Sequence, residues 1–362
     1  MTPTGVPFGN DPAKIDRYRA FWAGERVSRP LVGFTLVGWF PLGELSASRG
    51  WAGTATLTPD MLVPRELLDD HERMLREGEI FSDDLIRGAS PSQVAIPFFP
   101  AMLGSPLRLL PESVLGEELH LDWERALRSR LDASNPWYRL YFELADLLVE
   151  RSAGRFPVSH NAEIGPSDVH AVLRGHTRAI EDLMDEPGQS AALIRHAAGL
   201  FAELTESLWR RLPLWGGGWF DAQYCLWAPR PIARLQEDAS AVLSPALYRS
   251  LVRPADSFLA RRFPCAFMHL HSTSMFLLDA FLEIDELRCF EINNDVSGPP
   301  LETMLPHFRR VQRSGRSLLI RGSFSPEELR LLLNSLDPRG LMLLIMVRDR
   351  READTLRPIT GL

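Results

Sequence analysis

Short apolar runs alternate along the chain with longer segments in which apolar residues recur every three or four positions. Eight runs of the first kind have the length and composition of strands: residues 30–37, 79–81, 155–160, 212–215, 265–270, 287–292, 317–320 and 341–346. Residues 187–211 and 245–262 have the helical period, and Ser244 and Ser325, each followed by proline, are helix start signals.

Strands that alternate with helices in this way predict a parallel sheet. Eight of them predict a closed (β/α)8 TIM barrel, an α/β fold, in a single domain over residues 1–362 with a helix before the first strand. The alternative is a doubly wound open sheet, but residues 38–41 after the first strand lack its glycine-rich turn. Residues 88–123 are rich in proline and without a clear period, which predicts a long excursion after the second strand.

Composition narrows the class of protein. The chain is 45% hydrophobic and 24% charged, with a net charge of −7, so a nucleic-acid partner is not expected. Its 3 cysteines are too few for a disulfide scaffold, and no signal peptide or membrane-spanning run is present, which predicts a cytoplasmic location and no membrane partner. Of 40 basic residues only Lys14 is lysine, an arginine bias best explained by codon usage.

In a barrel of this kind the chemistry lies at the carboxyl ends of the strands. Because side chains alternate between the two faces of a strand, Phe267, His269 and His271 share one face, opposite Met268 and Leu270. Two imidazoles at this spacing can converge on one metal ion or share a proton transfer. The alternative is a pair of hydrogen-bonded polar residues at the barrel rim.

The next strand ends with a second polar face. Glu291, Asn293 and Asp295 share one face, opposite Phe290 and Ile292, and this strand follows the histidine strand directly, so the two strands are expected to be neighbours. Glu291 or Asp295 is therefore a natural third metal ligand or a partner of a histidine. An Asx turn at Asn294-Asp295 is the structural alternative, but it does not explain Glu291.

Other strand ends supply further candidates. Their polar or aromatic side chains would face the same mouth: Asp83 after the second strand, Asn161 and Glu163 after the third, Trp219 and Phe220 after the fourth, and Arg321 after the seventh. Asp168 follows a Gly-Pro turn and is interpreted as a helix cap. Ser272 and Ser274 lie near the histidines, but no nucleophile elbow surrounds them.

The order of several motifs resembles the uroporphyrinogen decarboxylase superfamily, which also contains cobalamin-dependent methyltransferases. The resemblance extends from Ile15 to about Leu356. Its markers are Gly165-Pro166, Arg174-Gly175, Asp185-Glu186-Pro187, Gln236-Glu237-Asp238, Val252-Arg253-Pro254 and the strand end His269-Leu270-His271-Ser272. It implies one (β/α)8 barrel with its site at the carboxyl mouth, in agreement with the pattern of strands.

The two branches of that family imply different sites. The methyltransferases have His-x-Cys at the strand end and a distal cysteine, and bind zinc; here His269 and His271 stand at those positions, and no cysteine follows Cys289. A carboxylate, Glu291 or Asp295, would then complete a harder metal site. The decarboxylases use an aspartate in a Phe-Ser-Asp segment, which Asp83 matches, but the expected tyrosine and the histidine near the carboxyl end are absent.

The first hypothesis is therefore a metal-dependent methyltransferase that uses zinc or another divalent metal and a corrinoid, free or on a partner protein, or a small methyl donor. Its expected metal ligands are His269, His271 and Asp295, and its expected catalytic residues Glu291 and Asp83. Its expected contacts to a small-molecule substrate are Asn161, Glu163, Trp219, Phe220, Asn293 and Arg321. The alternatives are a metal-free decarboxylase-type lyase that acts on a tetrapyrrole through Asp83, and a barrel that binds a ligand without catalysis.

Overall fold

The fold is taken from a computed structural model that describes residues 6–36, 45–51, 53–91, 96–111, 113–160 and 163–362. The strands of these ranges are β1 Leu31–Leu36, β2 Thr56–Leu57, β3 Leu107–Leu109, β4 Val114–Gly116, β5 Trp219–Asp221, β6 Leu226–Ala228, β7 Arg234–Leu235, β8 Phe267–Leu270, β9 Cys289–Asn293, β10 Ser317–Gly322 and β11 Leu341–Val347. The helices are α1 Ile15–Ala23, α2 Pro64–Gly78, α3 Phe98–Met102, α4 Trp123–Leu127, α5 Pro136–Ser152, α6 Pro166–Arg174, α7 His176–Asp185, α8 Pro187–Trp209, α9 Pro245–Leu247, α10 Arg253–Arg262, α11 Leu278–Leu282, α12 Leu301–Arg313, α13 Pro326–Ser335 and α14 Arg350–Thr360.

A parallel sheet of six strands forms the centre of the fold, in the order β1-β11-β10-β9-β8-β7. Its strands are nearly continuous apolar runs, as expected where both faces of a sheet are covered. Two shorter contacts lie on the open side of β1. The Asp84 N–H donates to the Val32 carbonyl at 3.0 Å, and, further along the same segment, Ala89 forms a parallel bridge with Val158. The mainly parallel arrangement with surrounding helices is consistent with a TIM-barrel-like fold.

The two faces of the sheet belong to two hydrophobic clusters. Phe267, Leu319 and Leu344 lie in an inner cluster with residues of the β5–β6 hairpin. Met268, Ile320 and residues of α12 and α13 lie in an outer cluster between the sheet and the helices. The alternation predicted for the histidine strand is thereby confirmed, because its odd-numbered residues face the inner cluster.

Five predicted strands are observed, and two others are wrong. Residues 79–81 form the turn that follows α2, with Ile80 exposed, and the pairing beside β1 is made further on, at Asp84. Residues 212–215 follow the end of α8, and the strand begins at Trp219. Gly216 and Gly217 both have positive φ and turn the chain between Trp215 and Gly218, which is why the apolar run does not itself become a strand. In residues 155–160, only the bridge at Val158 is found.

The proline-rich excursion folds against the main body. Its described residues contain α3 and the strands β3 and β4, which form a small antiparallel sheet with β2. Phe98 and Phe99 of α3 are buried in the same outer cluster as Leu318 of the central sheet. One continuous core therefore connects the excursion to the rest of the chain.

The helix before the first strand is present as α1. The Phe21 carbonyl accepts a hydrogen bond from Ser317 Oγ at 2.8 Å, which places α1 beside the amino end of β10. Just before α1, Lys14 Nζ donates to the Leu85 carbonyl at 2.9 Å and lies 4.0 Å from the Asp83 carboxylate. In the described ranges, no helix combines the length and the apolar character needed to cross a bilayer.

Candidate functional site

Two histidines and two carboxylates lie at the carboxyl ends of β8 and β9. His269 stands opposite Glu291 in the parallel register of these strands. His271 follows β8, and the centroids of the two imidazole rings are 4.9 Å apart. His269 is buried, whereas the side chain of His271 is 43% exposed, so the pair extends from the interior toward solvent.

Each histidine is held through its Nδ1 atom. Nδ1 of His269 is hydrogen-bonded to the Glu291 carboxylate and lies 2.9 Å from the Tyr224 hydroxyl. Glu291 has no exposed surface, and its Oε1 has no partner among the described residues. A fully buried carboxylate is costly without a cationic or hydrogen-bonding partner, so its contact with His269 is a strong constraint on the ring.

His271 has a similar carboxylate partner. Its Nδ1 lies 3.0 Å from Asp295 Oδ1, and the other oxygen of Asp295 accepts hydrogen bonds from Ser272 N and Ser272 Oγ, both at 2.8 Å. Burial alone would raise the pKa of Asp295, but these hydrogen bonds outweigh it and hold the pKa below its usual value. Asp295 is therefore an ionised partner that orients the ring of His271.

A third residue completes the cluster. Asp238, His269 and His271 each offer a ligand atom, and these atoms lie within 4.8 Å of one another. Because Nδ1 of both rings is engaged by a carboxylate, Nε2 is the atom that each ring leaves for a ligand. Sequence reasoning expected Asp295 in the place that Asp238 takes. It missed Asp238 because β7, which precedes this residue, is only two residues long.

The segment that carries Asp238 is fixed by a close approach of two backbones. A Cβ atom on Gly165, which caps α6, would lie 1.6 Å from the Gln236 carbonyl oxygen. Gln236 Nε2 in turn donates to Asp238 Oδ2 at 3.1 Å. Only glycine fits at position 165, and it sets the distance between α6 and the carboxylate of Asp238.

This donor set fits a divalent metal ion. Two imidazoles and one carboxylate, with an exposed side for a further ligand, are typical of catalytic zinc sites and suit other divalent transition metals. Carboxylates on the Nδ1 side fix the tautomer and the direction of such rings. Glu291 and Asp295 have this position.

Polar residues of the β5–β6 hairpin and β7 lie beside the cluster. Burial raises the pKa of Asp221 to about 6, and the Tyr224 N–H donates to this carboxylate at 2.9 Å. Arg234 of β7 donates to Gln223 Oε1 at 3.0 Å and is also bonded to Gln236. The hairpin thus brings the hydroxyl of Tyr224 to His269, a contact that no sequence motif indicated.

Asn293 and Arg321 lie together at the next strand ends. They stand opposite each other in the register of β9 and β10, and Arg321 Nη1 donates to Asn293 Oδ1 at 3.3 Å. Both are partly exposed, as a contact to substrate requires. Asn161 lies outside the described residues. Glu163 is buried below the surface, where it accepts a hydrogen bond from the Tyr141 hydroxyl at 3.3 Å.

Asp83 does not reach this site as a free carboxylate. It accepts hydrogen bonds from Phe34 N at 2.9 Å, from Leu85 N at 3.1 Å, and from both terminal nitrogens of Arg87 at 2.7 and 3.0 Å. Its side chain has no exposed surface. The role expected from the sequence, as a catalytic group or substrate contact, is corrected to that of an internal ion pair, and the decarboxylase interpretation loses its central residue.

Trp219 and Phe220 also differ from expectation. Phe220 is 1% exposed in the inner cluster, so it packs in the interior instead of facing a substrate. Trp219 pairs with Ala228 in the β5–β6 hairpin and packs at the edge of the same cluster with Trp22 of α1. Trp219 is therefore observed as a packing residue of the hairpin.

The chain is an α/β protein whose mainly parallel sheet is consistent with a TIM-barrel-like fold, with a cluster of histidines and carboxylates at its strand ends. The structure is similar to that of a methyltransferase from Methanosarcina mazei, with a TM-score of 0.63 and 12% sequence identity over 95% of this chain and 97% of that chain. No protein-family model matches the chain, and no curated protein was found that is similar in sequence. At this identity the similarity shows the fold.

Proposed function

We propose that this protein is a metal-dependent enzyme of the methyltransferase type. The observation that carries the proposal is the convergence of Asp238, His269 and His271, with a carboxylate behind each ring. The similarity of the fold to a methyltransferase supports the reaction class. The expected substrate is a small molecule, with the methyl group supplied by a corrinoid, free or on a partner protein, or by a small donor.

Nε2 of His269, Nε2 of His271 and a carboxylate oxygen of Asp238 would hold the metal. Zinc or another divalent ion at this position supplies Lewis acidity, which lowers the pKa of a coordinated thiol, alcohol or water. Glu291 and Asp295 keep the two rings in one tautomer and direction. Asn293 and Arg321 are proposed to bind polar groups of the substrate on the neighbouring strand ends.

Elemental analysis of the purified protein tests the metal site directly. We expect about one equivalent of a divalent metal in the wild type, and a loss of most of it in His271→Ala and in Asp238→Asn. His176→Ala is the matched control, because His176 is an exposed histidine on α7 bonded to Glu118. Equal metal content in all variants would refute the site.

A second measurement tests the reaction class. With methylcobalamin and a series of small thiols, we expect the protein to demethylate the corrinoid, which is monitored by the change in corrinoid absorbance. The rate should depend on metal loading, and the activity should disappear in His271→Ala. The protein could instead bind metal but transfer no methyl group from methylcobalamin or from a methylated amine or thiol. That result would support the metal site and exclude the methyltransferase assignment.

A further inference from the structure

The third proposed metal ligand has an amide behind it. Arg234, Gln236 and Asp238 occupy every second position of the chain, and their side chains meet on one side of the segment that follows β7. Arg234 Nη2 donates to Gln236 Oε1, and Gln236 Nε2 donates to Asp238 Oδ2 at 3.1 Å. Arg234 and Gln236 are buried, whereas Asp238 is exposed. A chain of hydrogen bonds therefore leads from the interior to the carboxylate.

The orientation of this amide is fixed by its two partners. A guanidinium can only donate and an ionised carboxylate can only accept, so the Gln236 oxygen faces Arg234 and its nitrogen faces Asp238. The charge of the guanidinium polarises the amide and makes its N–H a stronger donor. A direct ion pair of Arg234 with Asp238 would compete with a metal ion for the same oxygens, and the intervening amide avoids this competition.

The backbone at Asp238 is held by other contacts. Ala239 N donates to Asp168 Oδ1 at 2.7 Å, and Asp168 also accepts a hydrogen bond from the backbone N–H of Asp238. Asp168 belongs to α6, so this helix anchors the segment without help from Gln236. Within the described part of the chain, the amide of Gln236 makes the only hydrogen bond to the Asp238 carboxylate itself. Its loss would therefore free the side chain and leave the backbone in place.

We propose that Gln236 is a positioning residue of the metal site, which directs the carboxylate of Asp238 toward the two imidazoles and is itself aligned by Arg234. An exposed carboxylate samples several rotamers, and the hydrogen bond removes part of this freedom before the ion arrives. Each of the three proposed ligands then has one partner that fixes its direction. The inference rests on the metal centre of the proposed function, but it does not depend on methyl transfer.

Removal of the amide tests the proposal in the full-length protein. Gln236→Met keeps the length of the side chain without a donor, and we expect about tenfold weaker Zn²⁺ binding in competition with a chromophoric chelator. The visible spectrum of the Co²⁺-loaded protein should also change, because it depends on the ligand geometry that Asp238 helps to set. Gln236→Asn keeps the amide but is one methylene too short to join both partners, so it should act in the same direction.

Two comparisons separate positioning from a general loss of stability. Gln312→Met is the matched control, because the Gln312 amide also joins two groups, donating to Asp337 O at 2.6 Å and accepting from Asp337 N at 3.1 Å. It should change neither the Zn²⁺ affinity nor the Co²⁺ spectrum. In the background of Asp238→Ala, Gln236→Met should weaken the remaining Zn²⁺ binding by less than about twofold, because its effect passes through the absent carboxylate.

Three results would overturn the proposal. The first is a wild-type Zn²⁺ affinity and Co²⁺ spectrum in both Gln236 variants, with thermal unfolding to show that they are folded. The second is the same loss of affinity in the Asp238→Ala background, which would mean that Gln236 acts on the fold. The third is an absence of bound metal in the wild type, which overturns the metal centre as well. Weaker Zn²⁺ binding in a Gln236 variant, with a wild type inert toward methylcobalamin, would support the inference and refute only the methyltransferase assignment.

Discussion

Glu291 and His269 face each other across two adjacent parallel strands, in direct register, and the carboxylate of the first is bonded to Nδ1 of the second. Both residues lie within strands, and the adjacent residues of each strand are buried. Neither side chain therefore depends on a loop for its position. The contact therefore fixes one ring of the proposed metal site before any ligand arrives.

Replacement of Glu291 by glutamine should weaken metal binding. The amide keeps the size of the side chain but removes the charge that makes the imidazole a better ligand, so we expect a loss of about 10- to 100-fold in affinity. Competition with a chromophoric chelator measures this. Asp279→Asn, at an exposed position, is the control. An unchanged affinity would mean that Glu291 does not act through His269.

Gly165→Ala should disturb both the fold and the site. The added methyl group meets the Gln236 carbonyl, so we expect a loss of about 1–3 kcal/mol in the free energy of unfolding and weaker metal binding through Asp238. Gly199→Ala is the matched control, since its Cβ meets nothing within 4 Å on α8. There, alanine should stabilise by roughly 0.5–1 kcal/mol. Urea denaturation distinguishes the two, and equal effects would contradict the close approach.

Arg87→Met should be strongly destabilising, because it removes the guanidinium that donates two hydrogen bonds to the buried Asp83 carboxylate and leaves the Lys14 ammonium, at 4.0 Å, as its cationic neighbour. We expect a loss of about 3–5 kcal/mol in the free energy of unfolding. Arg330→Met removes an exposed ion pair with Glu327 and should cost less than about 1 kcal/mol. If Arg87→Met unfolds at the wild-type urea concentration, Asp83 is not held as an internal ion pair.

Glu163 should make the protein less stable as the pH rises. Burial raises the pKa of Glu163 to about 8, so the folded state keeps a proton that the unfolded state releases near pH 4.5. The stability that this proton contributes is present at low pH and is lost between about pH 5 and pH 8. Glu163→Gln should remove this part of the pH dependence, on the order of 3 kcal/mol. Parallel unfolding profiles of the two proteins would contradict the prediction.

The parts of the fold that the sequence predicted correctly are those with an unambiguous period. In β8 and β9 the side chains alternate between the two faces and the strands are consecutive in the chain, so the facing of His269 and Glu291 and the adjacency of their strands followed from the sequence. The helix start predicted at Ser325 is likewise local, and it is observed as the N-cap of α13. In both cases all the determinants lie within a few residues of one another.

The errors at Asp83 and Asp238 have a common physical cause, which is tertiary contact. Asp83 lies in a short polar run of the kind that is usually exposed, but Arg87 and the backbone of β1 enclose its side chain. Asp238 follows a strand of two residues, too short for a period, and reaches the histidines only because Gly165 lets its segment approach α6. Local patterns carry no information about such enclosures.

The arginine bias leaves this protein with a single lysine side chain, and Lys14 is committed to the interior. Its Nζ is bonded to the Leu85 carbonyl, its side chain is 17% exposed, and burial lowers its pKa. Covalent labelling of lysine would therefore report on a single contact, the one between the segment that precedes α1 and the segment around Leu85. The rate at which that amine is labelled, followed by mass spectrometry, would therefore measure how often the contact between these two segments opens.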